Sequence, residues 1–346
     1  MSDTAEAPKP SVARYPLLSI GVGLAVSGFF LWWAMRGLNL PEVLALVTAA
    51  PKGPVVLCVV LSTLSFPLRT LRWRSLLRGA DGGPLPLGPA WHGVAIAFMA
   101  NNLLPLRAGE PIRGVVVSRL AGVSLPAAWA SIAVERVFDS LTLAALLVAA
   151  LLAGALPPEA TFSGMSAGRL AGVIAVLGAA AFGAGAALLV WPAGMVRLVE
   201  RLIPWPALAL KLNSIVEGIR EGVSALASPR RLATIIAWSL VIWGTSAVSF
   251  LVLFPAFGIG LGLAPALIMQ SAIVFSIALP SSPGFVGVFE AAIVVSLGFY
   301  GIDRETALAY AVTYHATTFV PITLLGLISI VRTPMRWGEV REVPSR

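Results

Sequence analysis

Three groups of ionisable residues sit inside stretches that are otherwise apolar. Arg107, Glu110 and Arg113 surround a break marked by Asn101-Asn102, Pro105 and Gly109. Glu135, Arg136 and Asp139 lie within a later apolar run; Glu135 and Asp139, four apart, share a helix face, and Arg136 lies about 100° round from them. Glu290 follows a second break at Ser281-Ser282-Pro283-Gly284 and Gly287, with no charged neighbour in sequence, and His315 stands beside Tyr314 in the last apolar run. Inside a bilayer such groups cost several kcal/mol unless paired or hydrated.

Each group has a chemical reading and a structural one. Arg107, Arg113 and Arg136 can clamp a phosphate in the bidentate way open to guanidinium. Glu110 either orients them, meets an ammonium group, or is simply their counter-ion. Glu135, Arg136 and Asp139 either contact a substrate or form an ion cluster that locks packing. Glu290 either pairs with Arg136 across the fold or carries a coupled proton; His315 is a core histidine or a proton relay. Arg69, Arg72, Trp73 and Arg74 read as an interfacial anchor, with headgroup binding as the second reading. His92, beside Trp91, packs or caps.

Enzymatic chemistry finds little support. Cys58 is the only cysteine and there are two histidines, so no cysteine metal cluster is available. HExxH, CxxC, EF-hand, phosphate-loop and DxD patterns are all missing, and the expectation is a non-enzyme with no catalytic residue, metal or cofactor.

The elements that must position these residues are membrane helices. Of 346 residues 58% are hydrophobic and 12% charged; a soluble domain carries roughly 25% charged residues. Mean hydropathy is +0.90. A soluble enzyme, a disordered chain and a nucleic-acid binder are excluded, and the net charge of +8 belongs to cytoplasmic loops and anionic headgroups. Full-length apolar runs are Tyr15–Met35, Gly53–Leu68, Ala127–Leu156, Leu170–Trp191, Leu232–Phe257 and Thr306–Val331. The first ends in Trp32-Trp33 without a cleavage site, so it reads as a retained span. Leu87–Leu120 and Leu263–Tyr300 are broken, and each half is short for a crossing. Broken helices survive in lipid only where protein or a wet cavity covers them. Both read as re-entrant hairpins, with two full spans each as the alternative.

Basic clusters set the orientation. They fall at Arg69–Arg78, Arg113–Arg119, Arg197–Arg231 and Arg332–Arg346. Placing all four in the cytoplasm requires six full spans and two re-entrant hairpins, with both termini cytoplasmic. The layout is then a tail at 1–14, one transmembrane domain at 15–331 and a tail at 332–346. An amphipathic cytoplasmic segment covers about 195–228. The broken hairpins match at an offset of about 180 residues, each followed by a Gly-[Val/Ile] pair (Gly122-Val123, Gly301-Ile302) and an Ala-rich span. Repeat one (about 53–156) and repeat two (about 232–331) are therefore inverted, the signature of secondary transporters.

The segments Arg69-Thr70-Leu71-Arg72-Trp73, Asn102 through Glu110, Val134-Glu135-Arg136, and Ser281 through Glu290 resemble the flippase-like transmembrane region of lysylphosphatidylglycerol synthases. The likeness covers roughly residues 15–331. It implies a stand-alone member without the soluble aminoacyl-transferase domain, placed in a bacterial-type inner membrane. It further implies movement of a phospholipid or polyprenyl-phosphate lipid between leaflets, alone, as a homo-oligomer or with a partner synthase. A membrane component of a lipid or glycan synthesis pathway, either polyprenyl-lipid glycosyltransferase-like or a hopanoid-associated partner, is the alternative.

Overall fold

Glycine and proline decide where the helices of this chain begin and end. The computed structural model describes residues 15–105, 107–157, 229–277 and 281–333, with isolated positions at 161–162, 165–166, 169, 176, 194, 197 and 335. Within them the α-helices are α1 (Tyr15–Met35), α2 (Leu40–Ala49), α3 (Lys52–Leu76), α4 (Leu87–Leu103), α5 (Gly109–Ala121), α6 (Leu125–Leu152), α7 (Pro229–Leu253), α8 (Leu263–Ile277), α9 (Val288–Gly298) and α10 (Arg304–Arg332). Two-residue strands β1 (Thr161–Phe162) and β2 (Met165–Ser166) pair antiparallel. The expected span at Leu170–Trp191 and the amphipathic segment at 195–228 lie outside the described residues.

Three helices are long and apolar enough to cross a bilayer: Lys52–Leu76, Pro229–Phe257 and Arg304–Arg332. Helix α1 and the unanticipated α2 meet at 87° and together can supply a fourth crossing. The bend follows Gly37, whose φ of 76° suits glycine. Three to four crossings among the described residues thus stand against the six expected. Helix α6 has comparable length at 28 residues but carries Glu135, Arg136 and Asp139.

The two broken stretches form helical hairpins, α4 against α5 and α8 against α9. Their helices have 17, 13, 15 and 11 residues. At 1.5 Å rise per residue, all are shorter than the roughly 30 Å hydrocarbon core. At the first tip the Gly109 N–H donates to Asn101 Oδ1 at 2.9 Å. A side chain on Gly109 would place Cβ 1.9 Å from the Ala97 carbonyl oxygen, so the hairpin closes only on glycine. At the second tip Gly287 has φ 88°, and its N–H donates to Glu290 Oε2 at 2.6 Å, capping α9 with its own third residue. The tips touch: Arg107 Nη2 donates to the Ile277 carbonyl at 3.0 Å. Asn102 Nδ2 donates to the Phe319 carbonyl and to Thr323 Oγ1 of α10.

Helix pairing is reciprocal. Helix α3 lies along α7. Helix α4 packs on α10 and α6 on α8, while α5 packs on α6 and α9 on α10. Both hairpins end alike. Gly122 and Gly301 adopt left-handed backbone, and Ser124 and Asp303 then cap α6 and α10 by accepting from Ala127 N and Thr306 N.

Candidate functional site

Residues at i, i+3 and i+4 share a helix face. On α3 that face carries Arg69, Arg72 and Trp73; on α6 it carries Glu135 and Asp139. The two faces meet inside the bundle with Arg113 of α5 and with Ser239 and Trp243 of α7.

Glu135 and Asp139 are the hubs. Arg113 grips Glu135 with both terminal nitrogens, Nη1 to Oε1 at 2.9 Å and Nη2 to Oε2 at 3.1 Å. The same Oε1 meets Arg72 Nη2 at 3.2 Å and Arg136 Nη2 at 2.5 Å. Asp139 Oδ1 accepts from Arg72 Nη1 at 2.6 Å and from Trp243 Nε1 at 2.9 Å. Its Oδ2 lies 3.2 Å from Arg136 Nη2 and 3.6 Å from Arg69 Nη1. Aromatic faces line the cations. Trp73 lies 3.8 Å from the Arg113 guanidinium carbon, and Phe98 and Trp243 flank that of Arg69 at 5.3 and 5.2 Å. Trp73 is itself held by Nε1 donating to Ser131 Oγ at 2.9 Å.

The cluster has a closed floor and an open mouth. Side chains of Arg72, Arg113 and Glu135 are at most 1% exposed, whereas Arg136 is 39% and Glu110 31% exposed. Glu110 Oε1 lies 3.8 Å from Arg136 Nη1, a loose pair at the mouth. Four guanidinium groups (Arg69, Arg72, Arg113, Arg136) face three carboxylates (Glu110, Glu135, Asp139), leaving one positive charge in excess. Arg107 adds another close by, within electrostatic reach of Arg136 and Glu110. The N–H donors are not exhausted either. Arg69 Nε and Nη1, and the Nε of Arg72, Arg113 and Arg136, are buried without a hydrogen-bond partner. Surplus charge and surplus donors in one buried place suit an anion with several acceptor oxygens.

Sequence reasoning placed these residues unevenly. Glu110, Arg113, Glu135, Arg136 and Asp139 do come together. Arg107 and Arg113, expected to aim at one cavity, diverge. Arg113 turns into the bundle, while Arg107 crosses to the other hairpin and lies over the Phe285 ring. Arg69, Arg72 and Trp73, expected at an interface, are buried at 8%, 0% and 0% exposure. They belong to the cluster because its carboxylates give them partners. Arg74 of that motif stays outside the cluster, half-buried, its Nε donating to the Leu85 carbonyl at 2.7 Å. Glu290 does not meet an arginine: its Oε1 lies 2.5 Å from His315 Nδ1. Phe289 stacks on the His315 ring at 4.4 Å and Phe319 meets it edge-on at 6.0 Å. Ser239, Trp243 and Phe98 were missed. Ser239 and Trp243 are four apart on α7, a spacing visible in the sequence, but nothing there told which helix they would face. Among the described residues no group of His, Cys, Asp and Glu could hold a metal ion.

Comparison with known proteins agrees with the membrane reading. The chain is 27% identical to the glycosyltransferase AglD of Haloferax volcanii over 92% of its own length, but spans only 54% of that protein. It is 25% identical to the UPF0104 membrane protein PH1989 of Pyrococcus horikoshii, covering 92% of this chain and 97% of the relative. A UPF0104 membrane protein of Methanothermobacter thermautotrophicus is 24% identical, covering 91% of each chain. The profile of the lysylphosphatidylglycerol synthase TM region matches residues 20–326. With its apolar helices and buried arginine–carboxylate cluster, the chain belongs to that family of multi-pass integral membrane proteins.

Proposed function

We propose that the protein translocates an anionic lipid, either a phospholipid or a polyprenyl-phosphate lipid, between leaflets. The arginine cluster receives the headgroup phosphate. One observation carries this reading: four arginines around three carboxylates inside the helix bundle, with five buried guanidinium nitrogens left without a hydrogen-bond partner. A purely structural ion cluster would balance its charge, since each unpaired buried charge costs several kcal/mol. The headgroup enters at the mouth, where Arg136 is exposed, displaces Glu110 and meets Arg136 and Arg69. Arg107 closes over it from the hairpin tip. Arg72 and Arg113, tied to Asp139 and Glu135, hold the floor. The acyl tails stay in lipid throughout.

The architecture proposed with it is six crossings with two re-entrant hairpins in two inverted repeats, seated in a bacterial-type inner membrane with both termini cytoplasmic. The reciprocal helix pairing and the matched Gly122 and Gly301 caps favour it. Arginines at 69, 72 and 113 are spent on buried carboxylates, so the orientation rests on the remaining basic residues. In this reading the chain is a transporter, not an enzyme. It acts by alternating access where the hairpin tips meet, as a monomer, a homo-oligomer or beside a partner synthase. The likeness to AglD favours a second reading, a membrane component of a lipid-linked glycan pathway.

Reconstitution into vesicles bearing a fluorescent phosphatidylglycerol in both leaflets separates the readings. Translocation carries inner-leaflet label outward, so an impermeant quencher bleaches beyond the roughly half of the label that protein-free vesicles lose. Bleaching indistinguishable from protein-free vesicles, with polyprenyl phosphate tested likewise, overturns the transport reading.

A further inference from the structure

Glu290 and His315 lie 180 positions after Glu110 and Glu135, so the repeat offset carries the mouth and floor carboxylates of the cluster onto this pair. The chemistry differs. In place of excess cation there is one carboxylate and one imidazole, Oε1 to Nδ1 at 2.5 Å, with side chains 7% and 12% exposed between Phe289 and Phe319. Glu290 Oε2 already accepts the Gly287 N–H at the hairpin tip.

We propose that Glu290 and His315 form a proton-binding site coupled to the lipid site; the coupling rests on the transport reading, the proton site does not. One proton always bridges Nδ1 and Oε1. A second, taken from water at Nε2, converts the imidazole to imidazolium and makes the pair neutral; releasing it leaves a net negative charge between aromatic rings. That charge needs a cation, and the surroundings offer few. Helix α8 carries no ionisable side chain, nor does α1 from Gly21 onward. On α2, Glu42 is exposed. Within α10, Tyr314 is bonded to Ser249 of α7, and Tyr310 donates to the Phe250 carbonyl. From α3, Cys58 contacts Thr317. His92 of α4 is coupled to Arg332 at the other end of α10. Arg107 remains, at the touching tip, over Phe285 and on the Ile277 carbonyl. The same arginine is within electrostatic reach of Arg136 and Glu110 at the mouth of the anion cluster. Proton release therefore holds Arg107 on the second hairpin, away from the headgroup; proton uptake frees it to swing toward the cluster.

Two measurements test this. In His92→Gln protein carrying ¹⁵N-histidine, one imidazole remains, and its ring nitrogens should report a reversible change of protonation with pH. Glu290→Gln should move that titration. An imidazole held in one state at every pH overturns the site. Phosphatidylglycerol binding, read by thermal stabilisation, should be at least fivefold tighter at pH 5.5 than at pH 8.5 in the wild type and pH-independent in Glu290→Gln and in His315→Gln. The phosphodiester keeps its charge over this range, so the protein supplies any change. Titration with pH-independent lipid binding overturns the coupling alone. Absence of lipid stabilisation at either pH overturns the anion-site reading and the coupling with it, while the imidazole titration still decides the proton site.

Discussion

Arg72 of α3 and Asp139 of α6 are joined by two hydrogen bonds, 2.6 and 3.2 Å long, and the arginine side chain has no solvent exposure at all. Loss of either residue takes two hydrogen bonds from the other. Their union ties the first long helix to the helix that carries both hub carboxylates, with Ser239 of α7 bonded to the same guanidinium at 3.0 Å. Three helices thus share one charge pair at the base of the cluster.

Removing one member of that pair should therefore be costly. Arg72→Met takes two hydrogen bonds from Asp139 and a close contact from Glu135, which keep Arg136 and Arg113 as partners, and should lower stability by about 1.5–3 kcal/mol, the scale for hydrogen bonds to a charged group. Adding Asp139→Asn should recover part of the loss. Thermal unfolding of detergent-solubilised protein measures both. Equal losses in the single and double variants would mean that the two side chains are not coupled.

The proposed inverted two-hairpin topology would put the α3–α4 loop and the α7–α8 loop on opposite sides of the membrane. Ala80 and Gly260 are exposed in these loops. Cysteine at position 80 should react with an impermeant maleimide only from the cytoplasmic side, and cysteine at 260 only from the other. Native Cys58 is fully buried and should stay silent. Same-sided labelling would defeat the inversion.

Membrane character, both broken hairpins and most of the ion cluster were legible in the sequence, because charge and helix breakers are conspicuous in an apolar chain. What could not be read was direction. Arg69, Arg72 and Trp73 look the same in a list whether they face a headgroup layer or a carboxylate on another helix; only the packing of α3 on α6 and α7 decides. Glu290 had no charged neighbour in sequence, yet its partner lies one helix on, since α9 and α10 form an antiparallel pair. The turn into α2 was not legible, because α1 and α2 are both apolar and only the four residues Arg36–Asn39 separate them. Charge counting for orientation was weakened by the same burial: arginines paired inside the bundle say nothing about which side a loop occupies.

Arg69 offers a clean test of the anion site. It is the least satisfied cation of the cluster, 3.6 Å from Asp139 and held between Phe98 and Trp243. Arg69→Lys keeps the charge and loses the planar stacking and the fork of donors. Phosphatidylglycerol should bind about tenfold more weakly, the worth of one charge-assisted hydrogen bond at ~1.4 kcal/mol, with the fold retained. Arg74→Lys, outside the cluster, should bind as the wild type. Equal binding by all three would remove Arg69 from the headgroup site.

Glu110 should act in the opposite sense. Its carboxylate sits at the open mouth, 3.8 Å from Arg136, and its Oε2 has no hydrogen-bond partner. An incoming phosphate must compete with it for Arg136. Glu110→Gln removes that competitor and raises the local positive charge, so anionic lipid should bind more tightly. Because the pair is loose and about a third exposed, its worth is at most about 1 kcal/mol, which caps the gain near fivefold. Release from the tightened site should slow, so steady-state translocation should fall while affinity rises. A salt bridge that merely braced the hairpin would behave differently. Its loss would lower the melting temperature and leave both lipid affinity and turnover per folded molecule unchanged. Measuring thermal stabilisation by phosphatidylglycerol alongside vesicle translocation for Glu110→Gln distinguishes the two, and weaker binding in this variant would show that Glu110 positions Arg136 rather than competing for it.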